Sequence, residues 1–249
     1  MDLKNAVAIV TGGNGGLGQR ICHALAAAGA NIAVVYAQSA NEAGKVADDL
    51  RRHGVEAEPF QCDLRQPAQI TRLVDDVLKR FGRIDILIND AAYNKAIPFK
   101  DLDGLTTEEW SKILDVNLTA PMHAIKAVAP VMKRQGRGRI VNISSVAGLG
   151  PSGSSIAYAV SKAGLIHLTR CMAVALAPEV LVNCVAPGLL EGTRSTANLA
   201  QSQIDHANSA ALLKRAADKD DVADQVVTMC RTETMTGQTV AIDSGRVFH

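Results

Sequence analysis

Seven short apolar runs alternate with amphipathic stretches along the chain, and this alternation restricts the fold more than any other feature. The runs cover residues 6–11, 31–36, 57–61, 84–89, 139–144, 181–185 and 239–242. Most are rich in Val and Ile and lack strict polar alternation, the pattern of strands buried on both faces of a parallel sheet. Helix-like segments lie between them. Residues 17–28 repeat Ala and Leu at helical spacing and stop at Gly29. Residues 41–53 stop at Gly54 and 69–81 at Gly82. Residues 107–117 open with Thr-Thr-Glu-Glu, a helix-start signature, and 157–177 stop near Pro178. Strand and helix repeated this often predict an α/β fold: a single-domain, Rossmann-type doubly wound parallel sheet flanked by helices on both faces.

The 249 residues suffice for one large core, and no linker or internal repeat divides them, so residues 1–249 are read as one domain. Aromatic residues are only 3% of the chain, which leaves Ala, Val, Ile and Leu to fill that core. Residues 189–213 carry no strand pattern and many Ser, Thr, Asn and Gln. They read as an insertion after a strand end, where substrate lids sit. No apolar segment reaches transmembrane length by inspection, and no leader is visible, so a cytoplasmic protein with no membrane role is expected. The net charge of +1 points to no nucleic-acid partner. The basic run 133–139 and the charged run 218–224 read as solvated surface. Five scattered cysteines without a C-x-x-C read as buried thiols, and the histidines show no ligand spacing, so no metal is expected.

The loop after the first run is Thr11-Gly12-Gly13-Asn14-Gly15-Gly16-Leu17-Gly18. Glycine is needed there for a tight turn and for close approach of backbone to a pyrophosphate, which the following helix N-terminus also attracts. Two registers fit: Gly13, Gly15 and Gly18 as G-x-G-x-x-G, or Thr11, Gly12, Gly16 and Gly18 as T-G-x-x-x-G-x-G. The second strand ends in Val35-Tyr36-Ala37-Gln38-Ser39, and no acid occurs between 31 and 41. A carboxylate there would bind a ribose 2′-hydroxyl and repel a 2′-phosphate, so NADP(H) is favoured over NAD(H).

Tyr158 and Lys162 stand at i and i+4 on one helix face. A free phenol titrates near about 10, too high for efficient proton transfer near neutrality, and a nearby ammonium would lower it. Tyr158 could then exchange a proton with a carbonyl or alcohol oxygen.

These pieces, with Asn89-Asp90-Ala91-Ala92, Asn117, Ser144-Ser145, Cys62-Asp63-Leu64, Pro187-Gly188 and Thr236-Gly237-Gln238, occur in an order and spacing that resembles the short-chain dehydrogenase/reductase family over essentially the whole chain. The resemblance implies a carbonyl reductase or alcohol dehydrogenase. Tyr158 would be its general acid/base, Lys162 would lower the tyrosine pKa and hold the nicotinamide ribose, and Ser145 would polarise the carbonyl. Asn117 would hold a water of the proton relay. Asp63 and Leu64 would lie at the adenine, Asn89 would support the sheet, and Ala91, Ala92, Pro187, Gly188, Leu190 and Thr193 would line the cofactor. Tyr93, Ala96, Leu149 and Leu189 would border a small carbonyl or alcohol substrate. A homotetramer is implied as well. The alternatives are a 3-oxoacyl-carrier-protein reductase of fatty-acid synthesis, which would need a basic docking patch, and a non-catalytic cofactor-binding sensor. Two departures stand out. Ala92 occupies a position where the family has glycine, and the segment leading to Thr193 is one residue longer than the common pattern.

Overall fold

The strands of the computed structural model, which describes residues 1–193, 196–197, 199 and 201–248, form one parallel sheet. They are β1 (Val7–Thr11), β2 (Asn31–Tyr36), β3 (Ala57–Gln61), β4 (Ile86–Asn89), β5 (Gly138–Ile143), β6 (Val180–Pro187) and β7 (Thr239–Ile242), in the order β3-β2-β1-β4-β5-β6-β7. β1 pairs with both β2 and β4, with Val10 opposite Val34 on one side and Ile88 on the other. The order therefore reverses at β1, and this switch point opens a crevice at the strands' C-terminal ends.

The period of two along each strand divides the core in two. Ala8, Val10, Ile32, Val34, Ile86 and Ile88 face α1 (Gly16–Ala27), α2 (Ala40–Arg51) and, near the chain end, Lys219–Arg231. Val7, Ile9, Ala33, Val35 and Leu87 face α3 (Pro67–Phe81) and two later helices. The first of these, α5 (Ala120–Gln135), follows α4 (Thr107–Leu114) through a π-helical turn at Asp115–Thr119. The second is α6 (Ile156–Leu176). The helices α7 (Gln201–Ala210) and α8 (Lys219–Arg231) complete the set.

Several expectations need correction. The fourth strand begins at Ile86: the Gln135 side chain takes up the Ile84 main chain (2.7 and 3.2 Å), and the buried Asp85 carboxylate accepts from the Val7 amide (2.9 Å) and from Arg83 (2.6 and 2.7 Å). Helix α5 went unrecognised. Its two prolines, Pro121 and Pro130, mask a helix whose apolar face is nonetheless continuous. Lys133 and Arg134 are consequently not loop residues. They occupy its last turn, where cations complement the helix dipole, and Gly136 (φ 72°) ends it. Asp218 is likewise no plain surface charge but the N-cap of α8, accepting from the Asp220 amide at 2.8 Å. Four cysteines are buried, but Cys171 is exposed. Helix α6, at 21 residues, is long and apolar enough to cross a membrane by length and composition, contrary to the sequence reading. Here it packs against β6, and Lys162 within it is buried. The segment 189–213 is described except at 194, 195, 198 and 200, which lie outside the described residues.

Candidate active site

The glycine loop turns at the switch point. Gly12 has a φ of 68°, and a side-chain carbon there would lie 3.0 Å from the Ala91 Cα. A side-chain carbon on Gly18 would lie 2.2 Å from the Gly12 carbonyl oxygen. These are the constraints expected of the T-G-x-x-x-G-x-G register. Thr11 is buried and does not face the crevice. Its hydroxyl donates to the Ile88 carbonyl and accepts from the Asp90 and Ala91 amides (3.1 and 3.2 Å), tying β1 to the β4 loop. Gly18 is likewise a packing residue. Asn89 lies behind the crevice and donates to Asn142 at 2.8 Å, which links β4 to β5.

A cleft of about 1220 Å³ runs along these strand ends. Gly12, Asn14, Gly15, Gly16 and Leu17 line it, as do Tyr36, Ala37, Gln38, Asp63, Leu64, Ala91 and Ala92. Asn14 donates to the Gln38 carbonyl at 3.1 Å and so fixes the end of β2. Ser39 does not line the cleft. It is exposed, in a left-handed conformation (φ 63°), at the start of α2. The Asp63 carboxylate is taken up by Arg65 in a paired interaction (3.0 and 2.7 Å), which holds it below the usual carboxylate range. The Ala92 methyl group is exposed, so the departure from glycine fills no packed space.

Tyr158, Lys162 and Ser145 line the same cleft. Ser155 caps α6 by accepting from the Tyr158 amide (3.1 Å), which sets the tyrosine in the helix's first turn. The Lys162 ammonium donates to the Ile143 carbonyl at the end of β5 (2.8 Å) and lies 5.7 Å from the Tyr158 ring centre. Burial lowers its pKa to about 8, with the charge of Asp90 opposing the shift. Ser144 donates to the Lys162 carbonyl at 2.8 Å, whereas the Ser145 hydroxyl accepts from the Ala147 amide.

Burial governs the phenol in this structure. Tyr158 is raised above its ordinary value, first by burial, with the Ser145 hydrogen bond pulling it down and Asp90 pushing it up. The lysine is anchored on the backbone at the end of β5, beyond direct hydrogen-bond distance of the tyrosine ring centre.

Asn117 sits in the π-helical turn and is fully buried. Its side chain accepts from the Tyr93 amide (2.8 Å) and donates to the Tyr93 carbonyl (3.0 Å) and the Ser161 hydroxyl (3.1 Å). It does not line the cleft. It joins the loop after β4 to α6.

Tyr93, Ala96, Pro187, Gly188, Leu189, Leu190 and Thr193 line the remaining wall, and Thr193 donates to the Leu190 carbonyl at 3.2 Å. Leu149 does not: it follows the short 3₁₀ turn Val146–Gly148, of which Val146 and Ala147 line the cleft. Sequence reasoning passed over Asp90, Lys112, His206 and Arg246, all on the cleft wall. Asp90 is the most perturbed carboxyl described, raised to about 7 by burial and held back by Lys162. Its place in Asn89-Asp90-Ala91-Ala92 was the available signal. For Arg246 the signal was its position just beyond the last strand, at the ligand end of the sheet.

The family model for short chain dehydrogenase matches residues 6–204, and the chain belongs to that family. Over 240 residues it is 37% identical to ketoacyl reductase 2 assigned to the granaticin polyketide synthase of Streptomyces violaceoruber, covering 96% of this chain and 95% of that protein. Proteins named 3-oxoacyl-[acyl-carrier-protein] reductase are also among its relatives. Among solved structures it resembles the NADPH-dependent 3-quinuclidinone reductase of Rhodotorula rubra, with a TM-score of 0.91, 26% identity and coverage of 98% and 92%. It is equally like an NAD+-bound xylitol dehydrogenase, with a TM-score of 0.90, 27% identity and coverage of 98% and 100%.

Proposed function

We propose that the cleft transfers hydride reversibly between NADP(H) and a ketone, an aldehyde or the corresponding alcohol, with Tyr158 as general acid/base. The observation that carries this reading is the meeting of Tyr158, Ser145 and Lys162 with the glycine loop on one cleft. The loop fits a dinucleotide. Gly12 and Gly18 stand where any side chain would collide with backbone, so the loop is shaped by main chain alone. When bound, the nicotinamide supplies or accepts the hydride.

The chain's own groups handle the proton. A phenol raised by burial stays protonated at neutral pH, so Tyr158 is set to donate to a carbonyl oxygen gaining negative charge. The Ser145 hydroxyl offers the same oxygen a second hydrogen bond, one that strengthens as charge develops. Lys162 supplies positive charge beneath the reacting groups and donors for a ribose. Asn117 acts on position, fixing Tyr93 against α6. Leu189 and Leu190 keep water from the wall they line.

Tyr158→Phe is expected to lower turnover of a model ketone by about 10²–10⁴-fold while the fold and nucleotide affinity persist. Unchanged turnover would remove Tyr158 from the mechanism and favour a non-catalytic sensor. The lack of any acid between 31 and 41 supports NADP(H), and kcat/KM is expected to be higher with NADPH than with NADH. A clear NADH preference would overturn that part.

The second reading, a 3-oxoacyl-carrier-protein reductase, is supported by the relatives' names. The basic run 133–139 does not help it. That run leads into the start of β5, at the opposite end of the sheet from the cleft, and its Arg137 and Arg139 pair with Asp85 and Glu233. A cytoplasmic homotetramer completes the reading, on family likeness, with light scattering as its check.

A further inference from the structure

Among the described residues, the α7 side of the cleft is lined by basic side chains and no acidic ones. Among the described lining residues the only acidic side chains are Asp63 and Asp90. Asp63 is paired with Arg65, and Asp90 interacts with Lys162. The α7 side of the wall instead presents Arg246, from the loop after β7, and His206, one helical turn beyond Ser202 on α7. Among the described residues the Arg246 guanidinium has no hydrogen bond and no ion pair, whereas most arginines of this chain are paired.

Its loop is nevertheless firmly held. The Asp243 carboxylate accepts from the Gly245 and Val247 amides (3.0 and 2.7 Å), and Ser244 donates to the Ala216 carbonyl (3.1 Å). The Leu213 amide donates to the Ser244 carbonyl at 3.0 Å, so the loop is fastened to the segment after α7. The Arg246 side chain is itself solvent-exposed where it lines the cleft, so its charge is presented to an anion entering from solvent. Guanidinium binds carboxylate and phosphate through paired, charge-assisted hydrogen bonds.

We propose that the substrate is an oxo compound, or its hydroxy counterpart, bearing an anionic carboxylate or phosphate away from the reacting carbon, with Arg246 as its counter-charge and His206 as a second donor. This rests on the hydride-transfer reading of the same cleft and names the chemistry of what that cleft takes.

The test compares kcat/KM for 4-oxocyclohexanecarboxylate and its methyl ester, with NADPH, in the unaltered protein and in Arg246→Gln and Arg246→Lys. The acid is expected to be favoured about tenfold or more, a preference that falls to near one in Arg246→Gln and survives in part in Arg246→Lys. Raising sodium chloride from about 50 to about 500 mM should lower kcat/KM for the acid in the unaltered protein and leave the acid-to-ester ratio of Arg246→Gln flat. An ester used as well as the acid, or a preference untouched by Arg246→Gln, overturns the inference and leaves hydride transfer standing. If neither ketone turns over, calorimetric binding of the carboxylate to the NADPH-loaded protein decides. Binding lost in Arg246→Gln supports the anion site while hydride transfer fails, and absence of binding to the unaltered protein overturns it.

Discussion

The two ends of the cleft are built on different terms. At the glycine loop the wall is main chain. Gly12 needs its positive φ, Gly18 has no room for a side chain, and the Thr11 hydroxyl fixes the neighbouring loop through its amides. At α7, the segment before it and the loop after β7 the wall is side chain: Leu189, Leu190, His206 and Arg246. A backbone surface recognises a ligand that never varies and leaves little freedom in which residues compose it. A side-chain surface can be rewritten without disturbing the fold, so that is where specificity for a variable partner resides.

Gly18→Ala should expose the first of these terms with the largest effect. The added carbon would sit 2.2 Å from the Gly12 carbonyl oxygen, and that oxygen belongs to the backbone and cannot swing aside. The loop must shift, at a cost of about 1–3 kcal/mol. Nucleotide affinity is expected to fall at least about tenfold, because the backbone that would face the pyrophosphate moves with it. Nucleotide titration and urea unfolding measure the two effects. Full affinity in Gly18→Ala would break the contrast, since the loop would then tolerate side chains as the α7 wall does.

The same contrast explains what could be read from the residues alone. The run 31–36 matches the structure at both ends because burial on both faces demands apolar residues, whereas 57–61 matches as an edge strand that is partly exposed and carries Glu58 and Gln61. The glycine loop was legible because few residue types meet its geometry. Tyr158 and Lys162 were legible through the spacing of one helix face, and Ser145 only through the family resemblance. The rest was hidden for identifiable reasons. Prolines masked α5, and the Gln135 side chain takes up the Ile84 main chain where the fourth apolar run begins. The influence of Lys162 on the phenol depends on where its ammonium points, and no spacing rule gives that. Leu149 lies one residue past a 3₁₀ turn whose Val146 and Ala147 line the cleft in its place. Arg246 and His206 come from segments far apart in the chain, brought to one wall only by tertiary structure.

Asp90 stands between the two ends, and its charge links them to Lys162 and Tyr158. Its pKa is raised from 3.8 to about 7 in the folded chain. The folded state therefore holds a proton that the unfolded state has released across that interval. Stability falls as pH rises from about 4 to about 7 and is then level, as far as this group is concerned. An Asp90→Asn variant carries no titrating group there and has no such slope. The variant's advantage over the parent should grow through that window and reach about 1–2 kcal/mol above pH 7, after allowance for solvent screening. Urea midpoints at pH 5 and pH 8 without nucleotide measure it. An equal difference at both pH values would mean that Asp90 is already ionised at pH 5.

The smallest effect separates a glycine that geometry requires from one that it does not. Gly44 lies within α2, on the same half of the molecule as the glycine loop, and a side-chain carbon there meets nothing within 4 Å. It has no positive φ among the backbone exceptions of the chain. Glycine in such a position only adds freedom to the unfolded chain, so Gly44→Ala should stabilise the fold by about 0.5–1 kcal/mol. Nucleotide affinity should stay as it was, because α2 touches the cleft only through the end of β2. Thermal unfolding and nucleotide titration on Gly44→Ala and Gly18→Ala together then give opposite signs for one chemical change. Destabilisation by Gly44→Ala comparable to that by Gly18→Ala would show that both glycines answer to packing in general, and the special status of the loop would be lost.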